Sequence, residues 1–323
     1  MAKILVTGGS GFIGSHLITK LLARGDEVLN LDIALPFRKD HLACSRTLDI
    51  LNREALQKEV ELFRPDVIFN LAAIADILRG REAFLVNTVG LANLLEITSR
   101  WEKKPRLVHT STQLVAGPGH KISGPRDYMP YTEYGVSKTE SEEVLWNWNG
   151  DIDWVIVRPT TVWGPWYPTF AKSTWYYLAR RWYMVPSRNE AIRTYSYVGN
   201  LVDQLIAAGE TNAELVARKM FYGGDASIPT SVWLDAFSRA LTGKPTRRVP
   251  YGVLKVLALG GDVTGKLGAP SPINSGRLYR MTADFAVPLQ PTFDTLGSGD
   301  YSLQDGVDAT VSWLYEEHAD RYR

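Results

Sequence analysis

Tyr134 and Lys138 stand four residues apart in Tyr134-Gly135-Val136-Ser137-Lys138, a spacing that puts both side chains on one face of a helix. A phenol at its ordinary pKa of about 10 is a weak base at neutral pH. A neighbouring ammonium favours the phenolate, typically by about 1–3 units. Such a tyrosine can take a hydroxyl proton while hydride leaves the same carbon, or run the reverse. Taken alone, the spacing also describes an ordinary surface pair. Its weight comes from what precedes it. Thr110-Ser111-Thr112 follow a strand-like run, Leu107-Val108-His109. A hydroxyl there can orient a substrate oxygen and share its proton, and chemistry alone does not choose among the three.

A second group of residues can bind phosphate. Thr7-Gly8-Gly9-Ser10-Gly11-Phe12-Ile13-Gly14 comes directly after the apolar run Ile4-Leu5-Val6 and opens a helical pattern. Gly8, Gly11 and Gly14 allow a tight turn and a close approach of backbone amides to a pyrophosphate. The helix start adds unpaired N–H groups and a favourable dipole. The strand–turn–helix context makes the pattern specific for a dinucleotide. Asp32 ends the next strand-like run, where a carboxylate accepts hydrogen bonds from a ribose 2′-hydroxyl and repels a 2′-phosphate. This favours NAD over NADP, although Arg38 and Lys39 can soften the preference.

The elements that position these groups alternate. Strands are expected at 4–6, 28–33, 67–69, 107–109 and 154–157, and helices at 12–24, 53–63, 82–100 and 134–148. Short apolar strands alternating with helices predict an α/β fold, a Rossmann-type doubly wound parallel sheet. Residues 1–165 form the expected NAD-binding Rossmann domain, with about 193–210 returning to it. Residues 166–323 are expected to form mainly a smaller, mixed C-terminal substrate domain, with 260–276 read as loop. Several aromatics crowd into 163–197, which reads as core or interface. The chain has 323 residues, 45% of them hydrophobic, enough for a large core. A formal net charge of +1 gives no reason to expect nucleic acid or a membrane surface as partner. Cys44 is the single cysteine, so neither an internal disulfide nor a zinc site is expected. The N-terminal apolar run is too short for a signal peptide, and a soluble cytoplasmic protein is expected.

Together these motifs resemble the extended short-chain dehydrogenase/reductase group, the nucleotide-sugar epimerase/dehydratase family. The resemblance runs from Thr7 to about Val202, with a weaker match at Asp305-Gly306 and Trp313. It implies that Gly8, Gly11, Phe12, Ile13, Asp32, Asp49, Ile50, Leu71, Ala72, Ala73 and Asn87 hold the cofactor, together with Tyr134 and Lys138. Arg158-Pro159 and Val162-Trp163-Gly164-Pro165 resemble the segment after the fifth strand. Aligning Val115-Ala116-Gly117 with the family's Val-Tyr-Gly puts Thr112 in the catalytic hydroxyl position beside Tyr134 and Lys138; the alanine departs from the usual aromatic. Gln113 and Leu114 stand where 4,6-dehydratases carry Asp-Glu. Leucine moves no protons, so dehydration and sugar-acid decarboxylation are disfavoured.

The resemblance further implies a nucleotide-diphosphate sugar as substrate, with Thr112, Gln113, Arg193 and Arg277 as candidate contacts. An arginine fork suits a diphosphate. The chemistry that remains is NAD-dependent C4 epimerisation through a transient 4-keto sugar, or NAD(P)H-dependent reduction of a 4-keto sugar or a related dehydrogenation. A non-catalytic dinucleotide sensor is a third reading, which the retained Tyr134 and Lys138 argue against. Family members pair two helices into a four-helix bundle. A homodimer is therefore expected, through 88–100 and 135–148, with Leu91, Leu94, Leu95, Val144 and Leu145 supplying apolar surface.

Overall fold

Aliphatic runs that are buried on both faces form parallel strands, and amphipathic segments between them cover the faces. The computed structural model describes residues 1–74, 81–188, 190–266 and 273–322. In chain order the strands are β1 Lys3–Thr7, β2 Glu27–Asp32, β3 Ser45–Thr47, β4 Val67–Asn70, β5 Arg106–Thr110, β6 Trp154–Pro159, β7 Thr161–Trp163, β8 Met184–Pro186, β9 Ile192–Arg193, β10 Tyr195–Tyr197, β11 Lys219–Gly223, β12 Ile228–Pro229 and β13 Arg247–Val249. The helices used below are α1 Phe12–Ala23, α2 Arg53–Phe63, α3 Leu91–Thr98, α4 Glu133–Trp146, α5 Pro168–Ala171, α6 Thr174–Ala179, α7 Val198–Glu210, α8 Ala213–Val216, α9 Thr230–Thr242, α10 Tyr251–Lys266 and α11 Ser275–Thr282.

Seven strands form one sheet in the order β11-β6-β5-β4-β1-β2-β3, every pairing parallel. The order reverses between β1 and β4, and the carboxyl ends of these two strands open the crevice where such sheets bind ligands. Alternation along β1 sends Ile4 and Val6 to the core shared with α1 and α7. Leu5 goes to the opposite core with Leu56, Val60, Leu94 and Leu145. From Thr161 onward the chain builds three two-stranded sheets, β7 with β10, β9 with β12 and β8 with β13. Trp163, Trp175, Trp233 and Phe237 form an aromatic core there, with the Tyr195 and Trp233 rings stacked at 4.8 Å. The fold is thus α/β, a seven-stranded parallel sheet with small additional sheets.

Several expectations need correction. The helix expected over 82–100 opens with a 3₁₀ turn, Arg81–Phe84, and a π-helical turn, Val86–Gly90, before α3 begins. Gly90 leaves room there for Ile50, since a Cβ would lie 2.4 Å from the Ile50 Cδ1. β3 and β11 were not anticipated. Both are edge strands, and β3 carries no aliphatic residue to mark it. Of the stretch read as loop, 260–276, the part to Lys266 is helical despite its glycines at 260, 261 and 265, and Ser275 opens α11; residues 267–272 lie outside the described residues. Leu91, Leu94, Leu95 and Leu145 are all fully buried within the single chain, and Val144 packs against the same core. The four leucines therefore face the sheet and offer no surface to a partner, while Val144 is half-buried. Leu85 and Val89 are the exposed apolar residues preceding α3.

Candidate active site

The glycine loop is shaped by three different demands. Gly8 has φ +73°, and a Cβ there would lie 2.5 Å from the Ala72 amide nitrogen. At Gly14 a Cβ would meet the Gly9 Cα at 2.5 Å, so this glycine lets α1 pack down onto the turn. Gly11 faces open space apart from the Gly8 carbonyl. It is also the N-cap of α1 and offers no side-chain cap, which leaves the first amides of the helix for an anion. The Asp32 Oδ2 accepts from the Ser10 amide at 2.9 Å and its Oδ1 from the Ala34 amide at 2.9 Å. The carboxylate is thereby fixed beside the loop with lone pairs to spare. Arg38 is engaged by Asp40 at 2.7 Å and lies 4.6 Å over the Trp166 ring. This cradle fits a dinucleotide.

Leu71 and Ala72 sit on the chain that leaves β4, where the Leu71 amide donates to the Thr7 carbonyl at 3.0 Å. Ala73 is exposed beside them. Ile50 is buried, and its carbonyl accepts from Asn93 at 2.9 Å. Asp49 is exposed and accepts from the Leu51 amide. Phe12 and Ile13, half-buried in the first turn of α1, face the chain past β7. There Phe12 stacks on Tyr167 at 4.7 Å and His16 on Trp166 at 4.1 Å. Burial holds the His16 imidazole down at about 4. Trp166 has φ +65°, a strained conformation for a bulky residue. Its ring thus touches both α1 and the loop after Asp32, the two sides of the cradle.

α4 starts where Thr132 accepts from the Gly135 amide at 3.0 Å, which fixes Tyr134 in the first turn and Lys138 in the next. Gly135 also permits close approach to the loop after β5. A Cβ there would lie 2.4 Å from the Leu114 carbonyl oxygen. This approach brings the Tyr134 turn against the turn that Thr112 begins. Of the three hydroxyls after β5, Ser111 donates to the buried Glu142. Thr112 caps the next turn, its oxygen accepting from the Leu114 amide at 3.2 Å. The Thr110 hydroxyl has no partner.

Lys138 is buried and donates from Nζ to the Thr110 carbonyl at 2.8 Å. Burial lowers its pKa to about 8, with Glu142 opposing the shift. Burial likewise pushes the Tyr134 phenol well above its usual 10, with Tyr167 adding to the effect. The lowering of Tyr134 expected from Lys138 is therefore outweighed in this structure, because the ammonium is turned to a main-chain carbonyl and the phenol is desolvated.

A buried hydrogen-bond chain, absent from the sequence reading, links the cradle to α4. Thr7 Oγ1 donates to Asn70 at 2.7 Å, and the Asn70 amide donates to His109 Nδ1 at 3.1 Å. His109 Nε2 then donates to Ser141, which donates to the Lys138 carbonyl at 2.8 Å. Burial, with Lys138 adding, holds His109 far below its usual pKa, so it stays neutral. Glu142 was also missed. It pairs with Arg158 through two hydrogen bonds of 2.8 and 2.6 Å, both side chains fully buried, and accepts from Tyr128 at 3.0 Å. The sequence signal for this pair was Arg158 in an otherwise apolar strand, since a buried guanidinium requires a carboxylate. Asn87 donates to Ser137 at 2.9 Å. The Asn87 carbonyl oxygen, Thr110 Oγ1, Gln113 Oε1 and Thr160 Oγ1 are buried without a protein partner, the pattern expected of groups reserved for a ligand.

A cavity of about 680 Å³ lies beyond β7 and is lined by both Arg193 and Arg277. Arg193 is half-buried and Arg277 exposed, and both guanidiniums act on the buried Tyr183 phenol, opposing the upward push of burial. The rest of the wall is mostly apolar, with Phe170, Trp182, Trp233 and Leu254 prominent. Two links join the cavity to the catalytic turn. Gln113 donates to Thr161 of the wall at 3.2 Å. Tyr167, which acts on Tyr134, packs edge-on against Phe170 at 4.9 Å. Among the described residues no group of three His, Cys, Asp or Glu could hold a metal ion.

The family model described as Epimerase, NAD dependent epimerase/dehydratase family, matches residues 4–222. A 3 beta-hydroxysteroid dehydrogenase/Delta 5-->4-isomerase of Mycobacterium tuberculosis is 31% identical over 228 residues, 64% of this chain and 60% of that protein. The chain thus spans less than two thirds of the length of that relative. A UDP-glucose 4-epimerase of Vibrio cholerae is 27% identical over 328 residues, covering 96% of this chain and 94% of that one. In fold, the chain resembles the crystal structure of UDP-glucose 4-epimerase with UDP-glucose from Thermotoga maritima. The TM-score is 0.75 at 22% identity, covering 98% of this chain and 99% of that chain.

Proposed function

We propose that this chain, which belongs to the NAD dependent epimerase/dehydratase family, is a nucleotide-sugar epimerase working at C4 through a transient 4-keto sugar. The observation that carries this reading is the position of Arg193 and Arg277 in one cavity joined to the catalytic turn through Gln113 and Thr161. Two arginines suit a diphosphate, which accepts paired, charge-assisted hydrogen bonds. The near full-length relation to a UDP-glucose 4-epimerase supports the same substrate class.

NAD, held by the glycine loop, Asp32, Asn87 and Lys138, supplies the capacity to take a hydride from the sugar carbon and return it. Tyr134 takes the hydroxyl proton from its substrate oxygen and later gives it back. Thr112 orients that oxygen. Lys138 supplies positive charge beneath the site and grips the ribose. Leu114 offers no acid or base for a further proton transfer, so the chemistry stops at oxidation and reduction. Asp32, with Arg38 occupied by Asp40, favours NAD over NADP. The protein acts as a homodimer whose contact is made by exposed residues near Leu85 and Val89. The purified protein should carry nicotinamide through chromatography, and acid release followed by enzymatic cycling should find about one NAD per chain. An empty site that fills only with added NADPH would favour a 4-keto-sugar reductase.

A second reading has its own observation. The cavity wall is largely apolar and aromatic, and a relative at 31% identity is named for a hydroxysteroid. On this reading the enzyme is an NAD-dependent dehydrogenase of an apolar alcohol, with the same roles for Tyr134, Lys138 and Thr112. Net reduction of NAD with such an alcohol, and none with nucleotide sugars, would select it.

A further inference from the structure

α10 is apolar almost all the way round. At about 100° per residue, its buried side carries Leu254, Ala258 and Gly261. The opposite side, an arc of roughly 160°, carries Val253, Val256, Leu257, Leu259 and Val263. Exposures there run from 45% at Leu257 to 69% at Val256. No charged residue falls within this arc; Lys255, Asp262 and Lys266 fall together on the remaining sector. A helix with so broad an apolar surface is expected to be covered and not left in water. Scattered apolar side chains on a surface are ordinary, whereas a contiguous patch marks an interaction site.

We infer that the outer face of α10 docks onto an anionic phospholipid surface. Charge selects this occupant. From Lys244 to Lys266 the chain carries Lys244, Arg247, Arg248, Lys255 and Lys266 against one acid, Asp262; Arg248 is paired with Asp235 at 3.0 Å, and the remaining basic excess stands in a molecule whose net charge is only +1. An apolar face bordered by basic residues is the pattern of a helix lying in the headgroup plane. A second copy of the chain fits less well, since a two-fold contact on α10 brings together two segments that each carry this basic excess. Composition points the same way. The helix contains Gly252, Gly260, Gly261 and Gly265, each about 1 kcal/mol poorer than alanine in a water-exposed helix. An apolar medium instead stabilises the helical hydrogen bonds. Among the described residues no helix is long and apolar enough to cross a membrane, so α10 lies on the surface.

The inner side of α10 contributes Leu254 to the wall of the 680 Å³ cavity, next to Ile273, Arg277 and Met281. The docked helix therefore separates the lipid surface from the substrate site by a single layer. This reverses the expectation from net charge that no membrane is a partner. It stands independently of which substrate the cavity takes.

The test is co-sedimentation of the full chain with phosphatidylcholine vesicles made with and without phosphatidylglycerol. Binding is expected with phosphatidylglycerol and should weaken as salt rises. The double variant Val256→Asp/Val263→Asp should lose binding at least tenfold. The variant Arg247→Glu/Lys255→Glu should lose about tenfold on phosphatidylglycerol vesicles. Both variants should keep the wild-type melting temperature and cofactor affinity, because the changed side chains face solvent. Absence of binding to phosphatidylglycerol vesicles at low salt would overturn the proposal. So would undiminished binding by the Val256→Asp/Val263→Asp protein. An oligomer that this variant dissociates, without vesicle binding by wild type, would assign the face to a second copy and also overturn it.

Discussion

In the phosphate loop the functional groups are backbone amides, placed by glycines whose Cβ atoms would collide with neighbouring main chain at 2.5 Å. In the lobe beyond Pro165 they are side chains, Arg193 on a two-residue strand and Arg277 in an eight-residue helix. The loop is local: strand, turn and helix follow one another, so residue spacing encodes its geometry. The cavity is not local. Its lining runs from Thr161 to Met281 and includes residues from β7, α5, α9, α10 and α11. A site built from main chain tolerates few substitutions at its glycines but many around them. A site built from side chains on short elements can change its ligand without disturbing the sheet.

The comparison can be broken first at the junction of the two regions. Tyr134→Phe keeps the ring and deletes the oxygen proposed to carry the proton. Turnover should fall by at least 10²–10⁴-fold, while NAD affinity, measured by calorimetry, should stay within a factor of a few. Lys138→Met should lower both rate and NAD affinity, and it carries a stability signature of its own. The folded pKa of about 8 lies below the ordinary 10.5, first because of burial. Between those values the unfolded chain holds more protons, so wild-type stability rises with pH across this window. The variant should lose that slope and gain roughly 1–3 kcal/mol at neutral pH. Denaturant melts of nicotinamide-free protein at several pH values measure both effects.

Smaller effects separate the two regions. Arg193→Ala and Arg277→Ala should each raise KM roughly tenfold or more for a nucleotide sugar, the weight of one charge-assisted hydrogen bond, and leave NAD affinity unchanged. Equal KM values for wild type and both variants would remove the diphosphate from the proposal. Thr112→Val should cost about tenfold or less in rate, since Tyr134 still reaches a less well oriented oxygen. Asp32→Ala should narrow the preference for NAD over NADP by a few-fold and leave KM for the sugar alone. Calorimetry showing that wild type prefers NADP would assign the 2′ position to Arg38.

What could be read beforehand follows the same division. α2 was expected over 53–63 and spans Arg53–Phe63, because Leu56, Val60 and Phe63 mark its face. β11 carries an apolar run of only three residues, Met220-Phe221-Tyr222, too short for periodicity to separate a strand from a loop beside the glycines at 223 and 224. The helix around Asn87 was mistaken for regular, since neither the π-helical turn nor the close approach of Ile50 to Gly90 leaves a periodic signal. Leu91, Leu94 and Leu95 could have faced a partner or the sheet, and only tertiary packing decides for the sheet. The stacking of Trp166 and Tyr167 on His16 and Phe12 joins residues about 150 positions apart. No local pattern records such a contact.

The central claim is that one active site, around Tyr134, oxidises and re-reduces a nucleotide sugar at C4 without consuming cofactor. The most direct measurement incubates the purified protein, with no nicotinamide added, with UDP-, dTDP-, GDP- and CDP-sugars and follows products by NMR and nicotinamide by absorbance. The account predicts interconversion of C4 epimers from at least one sugar, with no net change in reduced nicotinamide and no conversion by Tyr134→Phe. Conversion that requires stoichiometric NAD(P)H, or that proceeds at the wild-type rate in Tyr134→Phe, would contradict it.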